Sequence, residues 1–138
     1  MAHEHSSAAI RMDAPGRAVS EIVILGPLSL QNVMMSHVMR HRFGLDCLFL
    51  SAEAGDMAGQ IGELRCALLL IDCGTQAVEQ SLQALPAMAA PKDCILALYN
   101  VRRDSALARW AADRGICDVF LRSESVDRIL DGVRRCLG

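Results

Sequence analysis

The chain has 138 residues, enough for one domain with its own core and too few for two. Apolar residues make up 52% and charged residues 22%, the balance of an ordinary globular domain and not of a disordered chain. A net charge of −2 excludes a segment that grips nucleic acid through a basic excess of its own, and no apolar run approaches the ~20 residues of a membrane helix.

Residues 1–19 have no periodicity and contain Pro15 and Gly16, so they read as a disordered leader before one domain over residues 20–138. The leader has no apolar core of the secretion-signal type, which makes the cytoplasm the default expectation. His3 and His5 fall in it and read as part of a mobile polar tail. From Glu21 the pattern becomes regular. Glu21–Leu25 is a short β-branched strand closed by Gly26-Pro27, and a helix follows through Leu30, Val33, Met34, His37 and Val38 to a stop at Gly44. That spacing turns Val33, Met34, His37 and Val38 toward the core, with His37 at its edge, and leaves Met35 and Met39 on another face.

Asp46–Leu50 is the second strand, residues 53–64 a weaker helix interrupted by glycines, and Ala67–Ile71 the third and most apolar strand. A helix over Ala77–Leu85 ends at Pro86, and Pro91 precedes the fourth strand, Cys94–Tyr99. Asp104 or Ser105 caps a helix running to Arg114, before Gly115. Cys117–Leu121 is the fifth strand. Ser123 or Ser125 caps a last helix whose apolar stripe is Val126, Ile129, Leu130, Val133 and Leu137.

Short apolar strands alternating with helices imply an α/β three-layer fold. The parallel sheet takes the flavodoxin-like order 2-1-3-4-5 with five helices, and function gathers at the carboxyl ends of its strands. Those ends carry Gly26, Pro27, Asp72, Cys73, Asn100 and Arg122. The six cysteines form no C-x-x-C pair and mostly fall in or beside apolar runs, so reduced structural thiols are expected, with no metal site. There is neither a Walker lysine nor a G-x-G-x-x-G loop after the first strand, and no Ser/His/Asp or Cys/His arrangement for catalysis.

The strand ends ALLLID, LALYN and GICDVFLRS resemble the receiver (CheY-like) domain of bacterial response regulators over about residues 20–137. The resemblance implies a phosphoacceptor position at Asp72, a hydroxyl switch position at Asn100 or Tyr99, and a lysine position at Arg122. It also implies an acidic pair where this chain has Gly26-Pro27. Phosphoryl transfer to a carboxylate needs a divalent cation held by hard oxygen ligands, so loss of the pair implies impaired phosphorylation and no magnesium site. Arg122 is then expected to pair with Asp72 directly.

This pattern of loss resembles the degenerate receivers of LuxR/FixJ-type transcription regulators, the biofilm and curli-matrix regulators among them. The run GPLSLQN is similar to the opening of their first helix. The resemblance implies a non-enzymatic signalling domain acting by dimerisation or ligand binding, and DNA contact only through a C-terminal helix-turn-helix domain beyond Gly138. The Trp-containing motif with which some relatives bind cyclic di-GMP is not matched, so no cofactor carries over. Arg102, Arg103, Arg109 and Trp110 lie where receivers commonly dimerise and form the candidate interface. The alternatives are a phosphoaccepting receiver that uses Asp72 and a flavodoxin-like nucleotide-binding module.

Overall fold

The computed structural model describes residues 12–14, 17–53, 55, 57–84 and 94–138. Its elements in chain order are β1 (Met12–Ala14), β2 (Arg17–Gly26), α1 (Leu30–Phe43), β3 (Cys47–Ser51), α2 (Met57–Glu63) and β4 (Arg65–Asp72). There follow α3 (Gln76–Gln83), β5 (Ile95–Val101), α4 (Leu107–Ala112), β6 (Asp118–Leu121) and α5 (Val126–Leu137). The five main strands are parallel in the order β3-β2-β4-β5-β6, which is the expected 2-1-3-4-5 with five helices.

The β-branched run at Glu21–Leu25 marks only the buried half of a longer strand. β2 begins at Arg17, and β1 folds back on it antiparallel, pairing Met12 with Ala18 and Ala14 with Arg17. The expected disordered leader is therefore corrected for residues 12–14 and 17–19, which pair through backbone groups that composition does not report. His3 and His5, and Pro86 and Pro91, lie outside the described residues.

Side-chain alternation along the strands builds two cores. Val23, Leu25, Leu69, Ile71 and Leu98 pack with Met57 and Ile61 of α2, Val78 and Leu82 of α3, and Leu107 and Ala111 of α4. Ile22, Ile24, Leu68, Leu70, Ala97, Tyr99 and Phe120 pack with Met35 and Met39 of α1 and with Ile129, Leu130 and Val133 of α5. Each large aliphatic side chain so buried contributes about 1.5–3 kcal/mol relative to exposure. On α5, Ser125 caps the first turn by accepting from the Arg128 amide, and Val126 falls outside the buried stripe at 45% exposed.

α1 presents a different face from the expected one. Its buried residues are Asn32, Met35, Ser36 and Met39, while Val33, Met34 and His37 are exposed. The helix is capped by Ser29, which accepts from the Asn32 amide, and closes at Gly44, whose φ of 64° suits a residue without Cβ. The i, i+3, i+4, i+7 series from Asn32 sets the phase, and the reason is the site that Asn32 serves.

The cysteine expectation is also corrected. Cys117, just before β6, and Cys136, in the last turn of α5, form a disulfide with their Cα atoms 6.1 Å apart. The packing of α5 on β6 brings them together across a separation of 19 residues, which spacing along the chain does not reveal. Cys47 and Cys73 are buried thiols, and Cys66 and Cys94 are half-buried ones.

Candidate functional site

β4 ends in Leu68, Leu70 and Asp72 on alternate positions, so Asp72 follows the leucines that face α1 and α5. It is 3% exposed and belongs to the carboxyl end of the sheet, paired in register with Tyr99. Its buried carboxylate needs donors and finds three neutral ones. Asn32 Nδ2 donates to Oδ2 at 2.9 Å. The Gly74 amide donates to Oδ1 at 2.9 Å, and Asn100 Nδ2 to Oδ1 at 3.0 Å. Asn32 was not legible as a site residue, though a polar residue in phase with Met35, Ser36 and Met39 was the available signal.

Asn32 is fully buried, and its Nδ2 also donates to the Pro27 carbonyl at 2.8 Å. Two acceptors at one end fix the orientation of the amide, because the opposite flip would set oxygen against oxygen twice. Its Oδ1 then has no hydrogen-bond partner among the described residues.

Asn100 reaches Asp72 through an irregularity in β5. The β5–β6 register shifts between Leu98 and Val101, both of which belong to the same core, so one extra residue is taken up there. Asn100 absorbs it at φ 61°, a conformation asparagine tolerates better than β-branched residues do. Tyr99 stays in the core, fully buried, with burial and the nearby Asp72 carboxylate pushing its hydroxyl pKa up. Of the two candidate switch residues, only Asn100 presents its side chain to the site.

The expected direct pair between Asp72 and Arg122 is corrected. Arg122 Nε donates to Asn100 Oδ1 at 3.1 Å, and its Nη2 to the Gly74 carbonyl at 2.7 Å. The Asn100 amide stands between guanidinium and carboxylate, donating to one and accepting from the other. Arg122 itself is exposed.

The residues around Asp72 do not fit a magnesium ion. Gly26 and Pro27 supply no carboxylate. A Cβ built on Gly26 would lie 2.6 Å from Asp72 Cβ and 3.1 Å from Asn32 Nδ2, so a side chain there has no room. Asn32 aims N–H groups, not oxygen, at the carboxylate. Among the described residues, no group of three or more His, Cys, Asp or Glu is placed to hold a metal.

The candidate interface residues separate. Arg102 is committed to Glu79 of α3 by two hydrogen bonds of 3.1 Å each. Glu79 is 6% exposed, and the Arg102 guanidinium holds its carboxyl below the usual range against the opposing effect of burial. Sequence reasoning missed Glu79, because a buried acid among polar helix residues carries no periodic signal. Arg103 and Arg109 are exposed. Trp110 is half-buried against the α2/α3/α4 core, with Arg114 stacked 5.3 Å from its ring centroid. Arg102, Arg103 and Arg122 line one surface depression together with Asp104, Leu121 and Ser123. Among the described residues, the exposed large apolar side chains are Leu28, Leu30, Val33, Met34 and Val126. His37 is exposed, its ring centroid 4.1 Å from that of His41, so it is not the core-edge histidine expected.

This architecture is the receiver (CheY-like) fold. Among solved structures the chain is similar to a response regulator from Thermotoga maritima, at 14% identity and TM-score 0.59 over 86% of this chain and 98% of that one. It is similar to the pilus assembly protein CpaE from Caulobacter crescentus, at 10% identity and TM-score 0.62 over 83% and 97%. It is also similar to the regulatory domain of the master biofilm regulator CsgD, at 16% identity and TM-score 0.56 over 83% and 88%. No protein-family model matches the chain, and no curated protein matches it. No helix among the described residues is long and apolar enough to cross a membrane.

Proposed function

We infer that the chain is a non-enzymatic, receiver-like signalling domain of a cytoplasmic transcription regulator of LuxR type, transmitting state without phosphorylation. One observation carries the reading. The Asp72 carboxylate is buried and already accepts from Asn32, Gly74 and Asn100, and Gly26 leaves no room for the acid that would bring a cation to it. A phosphoryl donor would meet a buried carboxylate whose oxygens already accept one hydrogen bond at Oδ2 and two at Oδ1, without a cation to offset its charge. Signalling then falls to dimerisation or ligand binding. The exposed apolar residues Leu28, Leu30, Val33 and Met34 support self-association, and Arg103 and Arg122 of the Arg102–Arg122 depression support an anionic ligand. The likeness to the regulatory domain of the master biofilm regulator CsgD favours a regulator, and the resemblance to LuxR/FixJ-type receivers favours one with a DNA-binding domain.

Incubation with acetyl phosphate and Mg²⁺, followed by a phosphate-affinity gel and intact mass, is expected to leave the chain unmodified. Phosphorylation at Asp72 would overturn the reading in favour of a phosphoaccepting receiver. A second reading, a domain of a pilus assembly protein, draws on the likeness to CpaE. A helix-turn-helix encoded beyond Gly138 would decide for the regulator.

A further inference from the structure

The amino end of the sheet, opposite Asp72, carries five of the six cysteines, with Cys47 the first residue of β3. Cys66 is the second residue of β4, Cys94 directly precedes β5, and Cys117 directly precedes β6, with Cys136 bonded to it. Cys66 and Cys94 are thiols whose Sγ atoms lie 3.4 Å apart. A disulfide needs ~2.04 Å, so closure asks for a sulfur movement of about 1.4 Å, within reach of small χ1 adjustments. Both residues are half-buried, whereas Cys47 and Cys73 are 1% and 0% exposed.

We propose that Cys66 and Cys94 form a redox-active dithiol that reacts with low-molecular-weight disulfides and closes to a second intramolecular disulfide, joining β4 to β5. The two thiols share a hydrogen bond that either sulfur can donate, so one keeps its proton while the other is favoured as thiolate. With Cys66 as the donor, Cys94 is the attacking thiolate. Its sulfur attacks one sulfur of the small disulfide, forming a mixed disulfide and expelling one thiolate. That thiolate takes the Cys66 proton. Cys66 Sγ then attacks Cys94 Sγ and expels the second thiolate, which is protonated from solvent. Two protein thiols are oxidised, and one small disulfide is reduced to two thiols. Cys47 and Cys73 do not compete, since burial pushes the Cys47 thiol up to about 12 and raises that of Cys73 as well. The two strands joined are those whose far ends carry Asp72 and Asn100.

The test treats the full chain with excess oxidised glutathione, quenches with N-ethylmaleimide, digests with trypsin and reads the peptides by mass spectrometry. Arg65, Lys92 and Arg102 place Cys66 in peptide 66–92 and Cys94 in peptide 93–102. The expected product is these two peptides joined through Cys66 and Cys94, with the Cys117–Cys136 pair unchanged. In Cys66→Ser the expected product is a persistent glutathione adduct on Cys94. Full maleimide labelling of Cys66 and Cys94 in the wild type would overturn the proposal, as would separate glutathione adducts on each. So would a cross-link that survives Cys66→Ser through Cys73.

Discussion

The two ends of the parallel sheet are held by different chemistry. At the carboxyl end, a buried carboxylate is saturated by neutral amides from α1, the β4–α3 turn and β5, with Arg122 one step removed. At the amino end, cysteines do the joining: one disulfide ties β6 to α5, and a thiol pair sits between β4 and β5. Hydrogen bonds to a carboxylate answer to pH and to packing, whereas sulfur bonds answer to redox poise. The carboxyl end, where members of this fold commonly carry a reactive site, is here the closed one. The amino end carries the half-buried thiol pair.

Gly26→Asp is the most severe way to break the carboxyl end, because it forces a side chain against Asp72 and adds a second carboxylate. The expected loss is about 3 kcal/mol of stability, read as a lower urea midpoint. An unchanged midpoint would mean that the end does have room for an acidic pair. At the amino end, Cys117→Ser with Cys136→Ser should cost roughly 3 kcal/mol, the scale for a loop of this length. Reductant should bring the wild-type Tm down to that of the double variant and leave the variant unmoved.

Asn32→Ala should cost about 2 kcal/mol, since it removes a hydrogen bond to a buried charge. Val33→Ala, one position along on the exposed face, should stay within about 0.5 kcal/mol. Equal losses in chemical denaturation would contradict the helix phase described for α1. The smallest expected effect belongs to Glu79. Its folded pKa lies below the ordinary 4.5, so its contribution is fully present above that value and fades as pH falls toward the folded one. Arg102→Ala should lessen the loss of stability over that acid window, and an identical acid limb in the two proteins would count against the Glu79–Arg102 pair. The disulfide should be indifferent to the same change.

Much of the fold was legible because its signals are local. Five apolar strands alternating with helices fix the class, and Gly44 and Ser125 mark helix ends where the structure has them. The candidate site was legible in part. ALLLID places Asp72 from strand length alone, and Asn100 and Arg122 follow from the ends of their strands. Asn32 and Glu79 were not visible, since each is a polar residue buried by one partner distant in sequence, 40 positions away for Asn32 and 23 for Glu79. The face of α1 was misread for the same reason: Val33 and Met34 are more apolar than Asn32, but Asn32 has the carboxylate to satisfy.

The sequence by itself determined the alternation of strands and helices, the strand order that short right-handed crossovers permit, and the place of Asp72 at the carboxyl end. These depend on neighbours along the chain. Only the tertiary structure decided that Asp72 is closed off by amides, that Arg122 reaches it through Asn100, and that Cys117 meets Cys136 while Cys66 meets Cys94. Apart from the Gly74 amide, each of these is a contact between residues 19 to 40 positions apart, set by the register of the sheet and the docking of α1 and α5. Periodicity records which face a residue belongs to, but not which residue it will find there.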